Sequence, residues 1–307
     1  MSPVAVWLAV TLGSSLTSPF ASAREVAFLR CTNSRSVMRL GIGSFTYPWA
    51  VGTPGHRPPV PLTPFGLLDR AIELGVGVVQ FCDNLPLEAL PEADLDALLV
   101  RTSAAAITLE LGTRGIAETH LRAQLGLAVR IGSPVLRVVI DTADHQPSPE
   151  GAVGLLRQVA PDFERADVYL AVENHDRLPA RVLADIVVQV DSPAVGVCLD
   201  TANSLGAAEG PRAVVETLAP FVVSVHVKDF AVRRMPHQLG LVVEGRPAGQ
   251  GQLDIPALLE ALRQAGRDPN AVVELWPPPE SGLAATLAKE ARWAAESVAY
   301  LRTLIDT

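Results

Sequence analysis

Cysteine is scarce in this chain. Only Cys31, Cys82 and Cys198 occur, an odd count without short spacing, which excludes a disulfide framework and a cysteine-based zinc cluster. Cys82 and Cys198 fall at or inside apolar runs and read as small buried residues, which suits a reducing compartment. Basic residues are outnumbered as well: 25 Lys and Arg stand against 33 Asp and Glu, a net charge of −8. That balance argues against a nucleic-acid partner. The apolar run near the start, Val4 to Leu12, falls short of the roughly 20 residues that span a bilayer, so no membrane partner is expected. The glycine-rich stretch Gly245 to Gly251 lacks a following Lys-Ser/Thr, which removes a phosphate-cradling nucleotide loop. No internal repeat beyond a strand–helix rhythm, no low-complexity tract and no second domain is visible.

What remains is the composition of an enzyme-sized domain. The 307 residues are 49% hydrophobic, enough for one large core near the usual barrel length of about 250 residues. Residues 1–37 stand outside the later pattern. Ala21-Ser22-Ala23 resembles a signal-peptidase site, yet no Lys or Arg precedes the apolar run. The favoured reading is an over-extended start, with the barrel domain at 38–307 and a cytoplasmic location.

One arrangement occurs four times. Val168–Val172 delivers Glu173, Val195–Leu199 delivers Asp200, Phe221–Val225 delivers His226, and Ala271–Val273 delivers Glu274. Each run is short, rich in β-branched residues and bounded by polar or turn residues, the pattern of a buried parallel strand. The intervening segments are long enough for helical crossovers. The fold expected is a single (β/α)8 TIM barrel, in which strand C-termini converge on one mouth. Three carboxylates and one imidazole meeting there suit one divalent ion such as Mn²⁺, Mg²⁺ or Co²⁺. A carboxylate at a strand end can also simply cap the next helix, and Asp200 before Thr201-Ala202-Asn203 is placed to do so.

Further strands are expected at Leu40–Phe45, Val78–Phe81, Ile107–Leu111 and Val135–Ile140. Thr63 before Pro64 and Asp254 before Ile255 read as helix caps. Trp49 follows strand one, where an aromatic ring can wall a sugar site or pack a loop. Glu110 is open between the barrel interior and the helix-facing side. His145 lies in a loop after strand four. Asn174 and His175 follow Glu173, and Lys228, Arg233 and Arg234 follow His226; these polar groups are candidates for substrate hydroxyls and acid groups, or are plain solvated surface.

As an ordered set, Val-Glu173-Asn, Cys-Leu-Asp200-Thr, His226-Val-Lys-Asp and Val-Glu274-Leu-Trp resemble the four metal-ligand segments of the xylose-isomerase-like TIM barrels. The resemblance runs from about Met38 to the C-terminus. It implies a divalent metal at Glu173, Asp200, His226 and Glu274, with Glu173 and Glu274 flanking a carbohydrate substrate as acid and base. The candidates for substrate contact are Asn174, His175, Asn203, Lys228, Arg233, Trp49 and Trp276; homo-oligomerisation is left open. Three positions depart from the ketose 3-epimerase pattern: Asn203 stands where that group has His, Val232 where it has Arg, and Pro179 where it often has Glu. The expected reaction is isomerisation or epimerisation of a keto sugar through an enediolate. Decarboxylation of an oxo-sugar acid or lysis of a glycoside is the alternative on the same scaffold, and a non-catalytic sugar-binding subunit a weaker one. An apurinic-site endonuclease shares the fold but needs more metal ligands than a chain with six histidines supplies.

Overall fold

The computed structural model describes residues Met38 to Ile305. The expectations for residues 1–37 lie outside the described residues. The strands are β1 (Leu40–Gly43), β2 (Val78–Phe81), β3 (Thr108–Arg114), β4 (Val135–Val139), β5 (Tyr169–Glu173), β6 (Val195–Asp200), β7 (Val222–Val227), β8 (Asp229–Arg234), β9 (Leu241–Arg246) and β10 (Ala271–Val273). Eight of them, all parallel, close into a barrel in the order β1-β10-β7-β6-β5-β4-β3-β2. Strands β8 and β9 form a separate antiparallel hairpin. The charges of its first strand make that segment look like a loop in sequence, and the structure corrects this.

Helices start where the chain supplies a cap or a proline. Thr63, Ser148 and Asp254 each accept a backbone N–H from the first turn of their helix, with Pro64, Pro149 and Pro256 close behind. Proline fits there because the amide it lacks has no intrahelical partner anyway. Gly75 and Gly132 stop their helices at φ +63 and +67, the left-handed conformation that glycine adopts without steric cost.

Strand alternation sorts the chain into two interiors. Val79, Phe81, Leu109, Leu111, Leu136, Val138, Leu170, Val172, Val197 and Leu199 pack with helix residues such as Leu68, Leu98, Leu121 and Leu156 in one large apolar core. The alternate positions turn into the barrel. There the side chains are small or polar: Gly41, Gly43, Gln80, Glu110, Gly112, Arg137, Ser224 and His226. Among the described residues no helix is long and apolar enough to cross a membrane.

Candidate metal and active site

At the C-terminal mouth, four strand ends bring Glu173, Asp200, His226 and Glu274 together, each no more than 3% exposed. Ligand atoms of Asp200, His226 and Glu274 all lie within 4.8 Å of one another, as do those of Glu173, Cys198 and His226. Pairing in register explains the convergence: Glu173 is opposite Cys198, and Asp200 is opposite His226.

The hydrogen bonds decide which atoms are committed elsewhere. Asp200 Oδ1 accepts from the amides of Ala202 (2.8 Å) and Asn203 (2.7 Å). Asp200 therefore does cap the next turn, but with one oxygen only. Its Oδ2 is buried without a hydrogen bond, as is His226 Nδ1. The second His226 nitrogen, Nε2, lies 2.8 Å from Gln80 Oε1, an acceptor. The proton on the ring therefore sits at Nε2 in the neutral form, and a lone pair at Nδ1 faces Glu274 Oε1 at 3.0 Å and Glu173 Oε2 at 3.5 Å. Lone pairs pointed at one another in a buried site need a proton or a cation between them. The donor set, one imidazole nitrogen and carboxylate oxygens, fits a divalent ion.

Two buried cations border the cluster. Arg137, on the inner face of β4, donates through Nε to Glu173 Oε2 and lies 3.4 Å through Nη1 from Asp83 Oδ1. Lys228 Nζ lies 2.8 Å from both Asp200 Oδ2 and Glu274 Oε2. Burial alone would strip charge from these groups, but their partners outweigh it. Burial lowers Lys228 while Asp200 and Glu274 hold it well above the usual lysine range, and Arg137 is likewise held up by Glu173. Burial would raise Glu274, yet His226 and Lys228 keep it well below the usual carboxylate range. His226 is pushed down by burial and held well up by Cys198, Glu274 and Glu173. The cluster thus calls for positive charge at its centre.

Other sequence candidates separate clearly. Asn203 joins the site, donating to Glu173 Oε1 (2.7 Å) and accepting from Lys228 Nζ (3.2 Å). Trp276 also borders it, with Lys228 Nζ 5.6 Å from its ring centroid. Asn174 serves the scaffold instead, where its amide donates to Asp200 O and Ser204 Oγ and accepts from Asp200 N. That side chain is spent clamping β5 to β6 and has nothing left for a sugar hydroxyl. His175 leans out to Asp176 at 3.4 Å. Arg233 is paired with Glu244 across the β8–β9 hairpin. Arg234 reaches only Gln238 O. Trp49 is fixed beside the mouth by Pro277 O (2.9 Å) and stands edge-on to His56. His145 lines an open cavity of about 540 Å³ with Arg114, His120 and Thr142.

Arg137 and Gln80 contact the cluster and are missed by a reading of apolar runs. Both carried a signal, a strongly polar residue at the centre of an otherwise apolar strand. Gly112, the β3 residue opposite Arg137, leaves room for Cys82 and Arg137. A Cβ at that position would overlap the Cys82 sulfur and press on Arg137 Cδ at 3.3 Å.

Comparison with known proteins agrees with this architecture. The xylose isomerase-like TIM barrel family matches residues 119–304. A 3-oxo-isoapionate decarboxylase from Pectobacterium atrosepticum is 36% identical over 266 residues, 87% of this chain and 96% of the relative. Among solved structures, D-psicose 3-epimerase from Clostridium cellulolyticum with D-tagatose superposes with a TM-score of 0.67 at 15% identity, covering 88% of this chain and 100% of that one. The IolI protein with a bound zinc atom gives 0.66 at 18% identity, over 88% of this chain and 100% of that one. These likenesses, the closed barrel and the family match agree: the chain belongs to the xylose isomerase-like TIM barrel family.

Proposed function

We propose that this protein is a divalent-metal-dependent decarboxylase of an oxo-sugar acid, with the oxo group on the second carbon from the carboxylate. The observation that carries this reading is the charge balance of the buried site. Among the buried groups, Glu173, Asp200 and Glu274 bring three negative charges, and Arg137 and Lys228 bring two positive ones; the partly exposed Asp83 and Arg114 beside them offset each other. A divalent ion at Asp200, His226 and Glu274, with Glu173 alongside, turns the net charge from minus one to plus one. A substrate carrying one carboxylate then neutralises the site, whereas a neutral keto sugar leaves an uncompensated buried charge. The 36% identity to a 3-oxo-isoapionate decarboxylase over nearly its whole length supports the same choice.

The ion pairs also favour decarboxylation over epimerisation. Epimerisation needs carboxylates free to take a proton from carbon. Here Glu173 is held by Arg137 and Asn203, and Glu274 lies against Lys228 and His226. Glu274, kept well below the usual carboxylate range by His226 and Lys228, is a weak base. Decarboxylation asks for no such base. The bond between the carboxylate carbon and its neighbour breaks, its electron pair passes into the enolate, and CO₂ departs. When bound, the metal supplies Lewis acidity at the substrate oxygen, worth several kcal/mol of charge stabilisation. Arg137 orients the carboxylate through its planar guanidinium. The Lys228 ammonium, paired with Asp200 and Glu274 and held firmly protonated, stays a fixed positive charge beside the cluster, and the proton for the carbon that loses CO₂ comes from solvent. Asn203 and Trp276 bound the space left for the sugar hydroxyls.

The test is to supply purified protein and Mn²⁺ or Mg²⁺ with a 3-oxo sugar acid in D₂O. The expected result is CO₂ release with one deuterium at the carbon that carried the carboxylate. Turnover of neutral ketoses with label beside the carbonyl, and no CO₂ from the acid, would overturn the reading in favour of epimerisation.

A further inference from the structure

Below the mouth, a run of side chains crosses the barrel interior and ends at His226. Asn270 Nδ2 donates to Glu110 Oε1 at 2.7 Å, and Gln80 Nε2 donates to Glu110 Oε2 at 3.1 Å. Gln80 Oε1 then meets His226 Nε2 at 2.8 Å and accepts from Cys82 Sγ at 3.3 Å. Glu110, Gln80 and His226 are wholly buried, and Gln80 and Glu110 are direct neighbours across β2 and β3. This spending of buried polar groups inside a barrel that apolar side chains could fill calls for a reason.

We infer that Glu110 and Gln80 are positioning residues that fix the direction of every hydrogen bond up to His226, and so dictate that Nδ1 presents its lone pair to the carboxylate cluster. The logic is one of polarity. Burial pushes the Glu110 carboxyl up, against the N–H groups that Asn270 and Gln80 donate to its two oxygens; as a carboxylate it can only accept, so the Gln80 group facing it is then its NH₂. The Gln80 carbonyl is thereby turned upward, and only an N–H can satisfy it from His226. The Cys82 thiol, pushed up to about 12 by burial, stays protonated and donates to the same oxygen, which also rejects the flipped amide. A histidine with its proton held at one nitrogen is committed to binding metal through the other.

The inference rests on the metal reading above, and an exchange of the two residues separates the failures. Glu110→Gln is nearly isosteric and supplies an NH₂ toward Gln80. Gln80 then has to turn its own NH₂ toward His226, which moves the ring proton to Nδ1. Mn²⁺ affinity, measured by calorimetric titration of the metal alone, should fall on the order of 10- to 100-fold. The exchange Glu110→Gln with Gln80→Glu restores an acceptor beneath His226 and should recover most of that loss. NMR of nitrogen-labelled histidine in the Zn²⁺-loaded wild-type protein should show the ring proton on Nε2, a measurement that stands even if a variant fails to fold. Wild-type protein that binds no divalent ion sinks the metal reading itself. Normal binding by wild type with unchanged affinity in Glu110→Gln, or no recovery in the folded double variant, overturns the relay alone. So does finding Nε2 as the metal-bound nitrogen.

Discussion

Neighbouring residues of one strand end feed two buried carboxylate sites with opposite properties. His226 and Lys228 serve the cluster at Asp200 and Glu274, where Asp200 Oδ2 and His226 Nδ1 lack hydrogen bonds. Asp229, the next residue, is 2% exposed and fully satisfied. Its Oδ1 accepts from the amides of Phe230 and Leu253, and its Oδ2 from those of Gly249 and Gly251. The glycine-rich stretch that fails as a nucleotide loop wraps around this side chain instead. Gly251 comes so close that a Cβ would overlap the carboxylate, and Gly249 has a φ of +81. The contrast separates two kinds of buried acid: Asp229 is saturated by four backbone N–H groups, whereas the acids around His226 Nδ1 are met by the side-chain cations Lys228 and Arg137.

The comparison can be broken most forcefully at the cluster. Stripping divalent ions with a chelator should reduce turnover by about a thousandfold or more, since metal polarisation is worth several kcal/mol. Re-addition should restore it, with the fold retained throughout as judged by circular dichroism. Asp229→Ala should do the reverse. Four backbone donors lose their acceptor, so denaturant unfolding should show a loss of about 3 kcal/mol or more whether or not metal is present.

Glu290 offers an intermediate case that sharpens the contrast. It is wholly buried on the helix Leu283–Leu301 and accepts only two amides, from Trp49 (2.7 Å) and Ala50 (3.0 Å). Burial raises its carboxyl to about 7 against those hydrogen bonds. An acid whose folded value is raised lends stability that is complete below its unfolded value of 4.5 and is lost as pH rises through 7. Melting temperatures from pH 4 to pH 8 should therefore decline less in Glu290→Gln than in wild type. The smallest effect belongs to the hairpin surface. Arg233→Ala breaks an exposed pair with Glu244 and should change stability by no more than about 0.5–1 kcal/mol, with turnover unaltered.

Much of the barrel was legible because its strands are short β-branched runs. The expected β2 and β10 match to the residue, and the others shift by a few residues at most. The clustering of Glu173, Asp200, His226 and Glu274 followed from their place at successive strand ends. What stayed hidden depended on contacts between distant segments. Asn174 and Asn203 are the same residue type in similar polar loops, yet one clamps two strands and the other faces the cluster. Arg137 stands out as a charge within Val135–Val139, but its partner Glu173 lies on the next strand and only the paired fold brings the two together. The hairpin was obscured by the charges of Asp229, Arg233 and Arg234, two of which find partners only within the hairpin itself. Lys228 carried one unused signal: the chain has just two lysines, and this one lies at a buried strand end.

Gly112 gives the site a handle separate from its charged groups. The arginine occupies a hole left by an absent side chain on the neighbouring strand, so its placement is recorded at position 112 as much as at position 137. Glycine within a strand carries a conformational penalty of roughly 0.5–1 kcal/mol relative to alanine. Gly112→Ala would therefore combine two opposed effects: a stiffer unfolded chain, and a Cβ driven into the Cys82 sulfur and against the Arg137 stem. Arg137 can thus be shifted from a neighbouring strand while its own residue stays unchanged.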